Sequence, residues 1–173
     1  MDMKKILISI ALLIAAAVSA QAQKVGVINT EEILNLMPAY LSAQEQLNNL
    51  NDKYKATIET EMGRIATLYD NYQANRATMT ATQRQNAENE IISKERVVQE
   101  KQRIYFGEDG IMAKKAEELL GPIRERVNAA VEAVARRGGY DLVIDLAAVQ
   151  GVIYKNNAID LTNLVAELVL ANE

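Results

Sequence analysis

The sequence predicts an α+β fold in which a long antiparallel helical hairpin projects from a small β-strand body. Three observations carry that prediction. An apolar residue recurs at every seventh position, Ile91, Val98, Tyr105, Met112 and Leu119. A column kept at that period favours a seam wound around a neighbouring helix. Folding the chain near Met79-Thr80 then sets Leu68, Tyr54, Leu47 and Tyr40 opposite Ile91, Tyr105, Met112 and Leu119, while Val98 alone falls on Glu61, beside Met62. Short β-branched runs stand outside this region, at 24–29, 140–146 and 151–154.

These features divide the chain into a signal segment over 1–22, a β-rich oligomerisation body over 23–37 and 138–173, and a helical arm over 38–137 with its tip near 79–80. In the signal segment Lys4 and Lys5 precede an apolar core from Ile6 to Val18, and Ala20-Gln21-Ala22 offers small residues for cleavage before Gln23. The core is too short to span a bilayer comfortably. Removing Asp2, Lys4 and Lys5 with this segment moves the net charge from −4 to −5. An exported, soluble protein is expected.

Lys24 to Asn29 is a nearly continuous apolar run, as a strand covered on both faces would be. Asn29 with Glu32 three residues on makes a helix start, and Glu31 and Glu32 suit the positive helix end. Pro38 fits a first helical position and ends what precedes it near Met37. From Ala39 to about Thr78 the residues Leu47, Leu50, Tyr54, Ile58, Met62, Ile65, Tyr69 and Tyr72 advance by threes and fours, one face of a helix roughly 60 Å long at 1.5 Å per residue. Thr80-Ala-Thr-Gln83 is a capping box that restarts the helix after the tip.

The seam is thin. Three positions after Ile91, Val98 and Tyr105 stand Lys94, Lys101 and Glu108, and a second partial column, Val97, Ile104 and Ile111, lies beside the first. Gly107 and Gly110 are placed within the returning helix, each costing roughly 1 kcal/mol relative to alanine. Gly121-Pro122 is expected to kink it where the arm rejoins the body. These four residues are the hinge candidates. Arg136 and Arg137 sit in the last turn, and Gly138-Gly139 can end it.

The runs 140–146 and 151–154, separated by 147–150, read as a β-hairpin. Asp160 is expected to cap a final helix whose apolar face is Leu161, Leu164, Val165 and Leu168, with Ile159 stapled against Leu164. So small a body buries too little to anchor the arm, and its apolar edge invites a second chain. A homo-oligomer is expected, with Val25, Val27, Ile28, Leu142, Val143, Ile144, Val152, Ile153, Leu164 and Leu168 as interface candidates.

Taken together, the Val-Gly-Val-Ile-Asn strand, the Met37-Pro38 start, the charged hairpin, Gly-Gly-Tyr-Asp-Leu-Val-Ile-Asp (138–145) and Ile-Asp-Leu-Thr (159–162) resemble the OmpH/Skp family of periplasmic chaperones. The resemblance covers nearly all of the chain after residue 22. It implies a jellyfish-shaped homotrimer, with a small barrel of strands from three subunits and three tentacles around a cavity. It also implies holding of unfolded outer-membrane β-barrel proteins without ATP. The chain departs from the basic tentacles of that family: over 62–100, Arg64, Arg76, Arg84, Lys94 and Arg96 balance Asp70, Glu88, Glu90, Glu95 and Glu100. No lipopolysaccharide site is carried over, and membrane-surface contact is expected to be weak at most.

Client contact is assigned to Met62, Tyr69, Tyr72 and Met79, near the tip, because methionine adapts its shape and tyrosine joins an apolar face to a polar end. Other classes fare worse. The chain has no histidine and no cysteine, which removes Ser-His, Cys-His, thiolate-zinc and disulfide chemistry. Asp141 and Asp145, four apart on a strand, would lie about 13 Å from one another, too far to share a proton. No cofactor is expected. The acidic balance speaks against nucleic acid. The remaining alternative is an exported coiled-coil adaptor of the cell envelope, which would want a denser seam.

Overall fold

The computed structural model describes residues 23–171, so the signal segment expected over 1–22 lies outside the described residues. The chain runs β1 (Val25–Ile28), α1 (Thr30–Asn35), α2 (Pro38–Asn75), α3 (Ala81–Phe106), α4 (Ile111–Gly138), β2 (Leu142–Asp145), a 3-10 turn (Asn157–Ile159) and α5 (Thr162–Leu170). It divides into two compact units. One holds the described residues up to Ile33 together with those from Val127 on, and the other runs from Leu34 to Arg126.

In the strand-bearing unit, β1 and β2 pair in parallel, with Val25 opposite Leu142 and Ile28 opposite Asp145. The hairpin expected from 140–154 does not form: β2 takes β1 as its neighbour, and 151–154 is not a strand. Asp145 starts the divergence. Its carboxylate accepts from the Ala147 amide at 3.0 Å, turning the chain as the strand ends. On its other side β1 meets Asp160, and Leu161 N–H donates to the Val27 carbonyl at 2.8 Å. With neighbours on both edges, Val27 and Ile28 are buried within their own unit and are not available to a partner, contrary to the expectation from sequence. Gly26 makes room for the Leu161 side chain, whose Cδ1 would lie 2.5 Å from a Cβ and would have to shift.

Helix α5 buries Val165, Ala166 and Val169 and leaves Leu164 more than half exposed. Of the expected face, Leu161 and Val165 are buried, while Ala166 and Val169 take the places expected of Leu164 and Leu168. Leu161, not Asp160, is the cap residue, which displaces Leu164 from the staple position. Asp160 still accepts from the Thr162 amide at 3.0 Å and hydroxyl at 2.6 Å, and it pairs with Lys155. Thr162 Oγ1 in turn accepts from the Asn29 amide at 3.0 Å.

Burial opposes ionisation of Asp160, but the Lys155 and Thr162 donors outweigh it and bring the pKa down to about 2. Because the folded value is depressed, the carboxylate stabilises above the unfolded pKa of 3.8 and this contribution is lost as pH falls towards about 2. Asp160→Asn is expected to cost about 2 kcal/mol near neutral pH, with the gap to wild type narrowing over that acid window in denaturant melts.

The end of α4 is a complete Schellman motif. Gly139 takes φ 62°, its N–H donates to Arg136 O, and Tyr140 N–H donates to Ala135 O.

In the hairpin unit, Pro38 occupies the first turn of α2 behind an extended Met37. Thr80 and Gln83 form the reciprocal capping box at the start of α3. The antiparallel register follows the heptad: Tyr54 stacks on Tyr105 with ring centroids 4.1 Å apart, and Phe106 packs edge-on to both. Tyr54→Ala is expected to lower stability by about 1–3 kcal/mol, seen as a lower urea midpoint for loss of helical signal.

One expectation for the hinge residues is corrected. Gly107 and Gly110 do not lie inside a helix. Gly107 closes α3 through its N–H to Arg103 O at 2.9 Å, and a Cβ there would lie 2.4 Å from that same carbonyl. Gly110 leads into α4, so the returning arm is two helices. At Gly121-Pro122 the helix assignment is unbroken, with Pro122 inside α4. Proline normally clashes with the Cβ of the residue before it, and Gly121 has none.

Candidate functional site

A hairpin of two helices can bury only the stripe where they meet, and the rest of each surface faces solvent. On α2 and α3 that stripe contains Ala43, Leu47, Ile58, Tyr72, Ile91 and Val98, all buried. Charged residues flank it. Lys101 donates to Glu61 across the hairpin at 3.1 Å, and this bond with its charge holds the Glu61 carboxyl below its usual range.

Beside the stripe lies a set of apolar side chains that the seam does not cover. Met62, Tyr69, Ile92 and Val97 are each 50–53 % exposed, and Ile104 is 42 % exposed. Three of them have a simple origin. Ile92 stands one position after a member of the heptad column and Val97 and Ile104 one position before one, rotations of about 100° in opposite senses that carry them past the contact line on its two sides. A groove of about 380 Å³ opens at this level, with Met62, Ile65 and Val98 as its apolar part and Glu95, Gln99 and Gln102 as its polar part. The arrangement offers shallow, adaptable apolar contact among solvated charges.

Of the four residues assigned to clients from sequence, Met62 and Tyr69 are on this surface and Met79 is half-buried in the tip turn. Tyr72 is not on it. Its ring is buried in the seam and its hydroxyl donates to the Glu88 carboxylate, which raises the phenol pKa. The sequence reading does not single out Ile92, and it gives Val97 and Ile104 as a second column and not as surface. The signal was their one-residue offset from the column.

The interface candidates of the strand-bearing unit also separate. Leu142, Val152 and Leu164 are about half exposed and Ile153 is completely so, while Val25, Val143, Ile144 and Leu168 are half-buried. Leu164, Leu168, Val134 and Tyr140 line a depression of about 550 Å³ whose polar members are Arg137 and Glu167. Among the described residues no cluster of acidic side chains could hold a metal, and no helix is long and apolar enough to cross a membrane.

Residues 24–169 match the family model described as Outer membrane protein (OmpH-like). The chain belongs to the OmpH-like family. Curated relatives of this OmpH-like chain are named Chaperone protein Skp. The one from Yersinia pseudotuberculosis is 34 % identical over 161 residues, which is 89 % of this chain and 90 % of that protein. The one from Photorhabdus luminescens is 31 % identical over 150 residues, 85 % of this chain and 89 % of the relative. The fold is shared with a crystal structure from Caulobacter crescentus described as an outer membrane chaperone (OmpH-like), with a TM-score of 0.64 at 15 % identity over 90 % of this chain and 88 % of the other.

Proposed function

We propose that this OmpH-like chain is an ATP-independent periplasmic holdase that binds unfolded outer-membrane β-barrel proteins between the helical arms of a homotrimer and prevents their aggregation. The observation that carries the reading is the uncovered apolar set on the hairpin, Met62, Tyr69, Ile92, Val97 and Ile104. A holdase must compete with aggregation and yet let go. Contacts of about 0.5–1 kcal/mol each, spread along helices, hold a greasy chain through their number while any one of them breaks quickly.

The chaperone names of the curated relatives support the client class. The exposed Val152 and Ile153, together with Leu164, support self-association, because apolar side chains in such positions gain by pairing with another copy. Arms with mixed charge place no strong anion site on the hairpin, so lipopolysaccharide has no part in the proposal.

The test is to dilute a urea-unfolded outer-membrane β-barrel into buffer containing the chain from residue 23 on, without nucleotide, and to follow turbidity while light scattering gives the chaperone's mass. Suppression at near-stoichiometric amounts by a trimer is the expected result. A stable oligomer that leaves the turbidity curve unchanged would point instead to an envelope adaptor.

A further inference from the structure

Lys24 is where the hydrogen-bonded fold begins. Its backbone N–H donates to Asp141 Oδ2 at 2.7 Å, its carbonyl accepts from the Asp141 amide at 2.8 Å, and its ammonium donates to Gly138 O at 2.6 Å, 4.2 Å from the centre of the Tyr140 ring. Gln23, one residue earlier, is exposed, and its carboxamide has no hydrogen-bond partner among the described residues. In sequence, Gln23 directly follows Ala20-Gln21-Ala22, the small residues at which the signal segment is expected to be cut.

We propose that Gln23 is a modification site: once cleavage after Ala22 exposes its amine, the residue closes into a neutral five-membered lactam. The inference rests on the export reading given under Proposed function. The uncharged α-amine attacks the δ-carbon of the side-chain carboxamide, the new C–N bond forms, the C–NH2 bond breaks and ammonia leaves. No oxidant, nucleotide or co-substrate is consumed. At pH 7 an ordinary α-amine is neutral in roughly a tenth to a sixth of molecules, which supplies the nucleophile. Both reacting groups lie outside the fold, so ring closure disturbs none of the bonds that hold Lys24.

Two consequences follow from the position. The lactam removes the positive charge that a free amine would carry at the start of the chain, one residue before the Lys24 N–H that Asp141 holds. An exopeptidase that took Gln23 and then Lys24 would reach β1 at once, since the strand starts at Val25. A closed ring has no free amine for such an enzyme.

The full chain, expressed with its leader and recovered from the periplasm, is measured by intact mass after a day at growth temperature and then exposed to a broad-specificity aminopeptidase. The expected mass is about 17 Da below that of residues 23–173, one ammonia lighter, with no trimming by the enzyme. Gln23→Ala should show the full mass and be trimmed. A chain that begins at Gln23 with its full mass overturns the lactam and leaves the export reading standing. A chain that begins at any other residue, residue 1 included, also overturns it, and one that is absent from the periplasm and stays in the cytoplasm with residues 1–22 overturns the export reading as well.

Discussion

Replacing Met62, Val97 and Ile104 together with serine is expected to raise the amount of protein needed to suppress aggregation by roughly tenfold or more, with helical content unchanged. Each side chain is 42–52 % exposed, so its removal takes little from the fold, where surface changes usually stay within about 0.5 kcal/mol. Each nevertheless offers a client about 0.5–1 kcal/mol of apolar contact. Three such losses on one hairpin sum to about 1.5–3 kcal/mol, and 1.4 kcal/mol is a factor of ten in affinity. Titrating the variant against a diluted β-barrel client measures the shift, and circular dichroism monitors the helices. Adding salt separates apolar from ionic holding, because exposed charge pairs are screened while apolar contact is not. An unchanged titration for the triple variant, or client release by moderate salt alone, would sink the apolar-surface account.

How far this surface could be read from sequence depends on what kind of signal placed each residue. The hairpin register was legible because a heptad column and a capping box are periodic or local patterns, and Tyr54 on Tyr105 and Thr80 with Gln83 bear it out. The exposed set was less legible, since one residue of offset separates Val98, buried, from Val97, half exposed, and both are the same amino acid. The helix break at Gly107–Gly110 went the other way from expectation: two glycines within four residues let the chain leave the helix where a carbonyl crowds any Cβ. The strand partner was the least legible feature. A four-residue strand carries no information on whether its neighbour lies ten residues away or more than a hundred, and here β1 lay across the whole hairpin in sequence.

Asp145→Ala is expected to destabilise the strand-bearing unit by about 2–4 kcal/mol, whereas Asp141→Ala should cost under about 1 kcal/mol, although the two acids sit four apart on the same stretch. The difference lies in what each carboxylate holds. Asp141 is exposed, and among the described residues its side chain accepts from the Lys24 amide alone. Asp145 accepts the Thr30 amide at 3.1 Å, the Thr30 hydroxyl at 2.6 Å and the Ala147 amide at 3.0 Å, so it ties the end of β2 to the first residue of α1 and sets the turn that follows. Removing it leaves a part-buried N–H and O–H without an acceptor, and such orphaned donors cost more than the bonds themselves are worth. Asp145→Asn, which keeps one carbonyl acceptor but loses the charge, should fall between the two in urea midpoint. Equal midpoints for Asp141→Ala and Asp145→Ala would contradict the assignment. The predicted order makes Asp145 a structural clasp at the strand ends, a role that accounts for an acid in this apolar stretch without any catalytic chemistry.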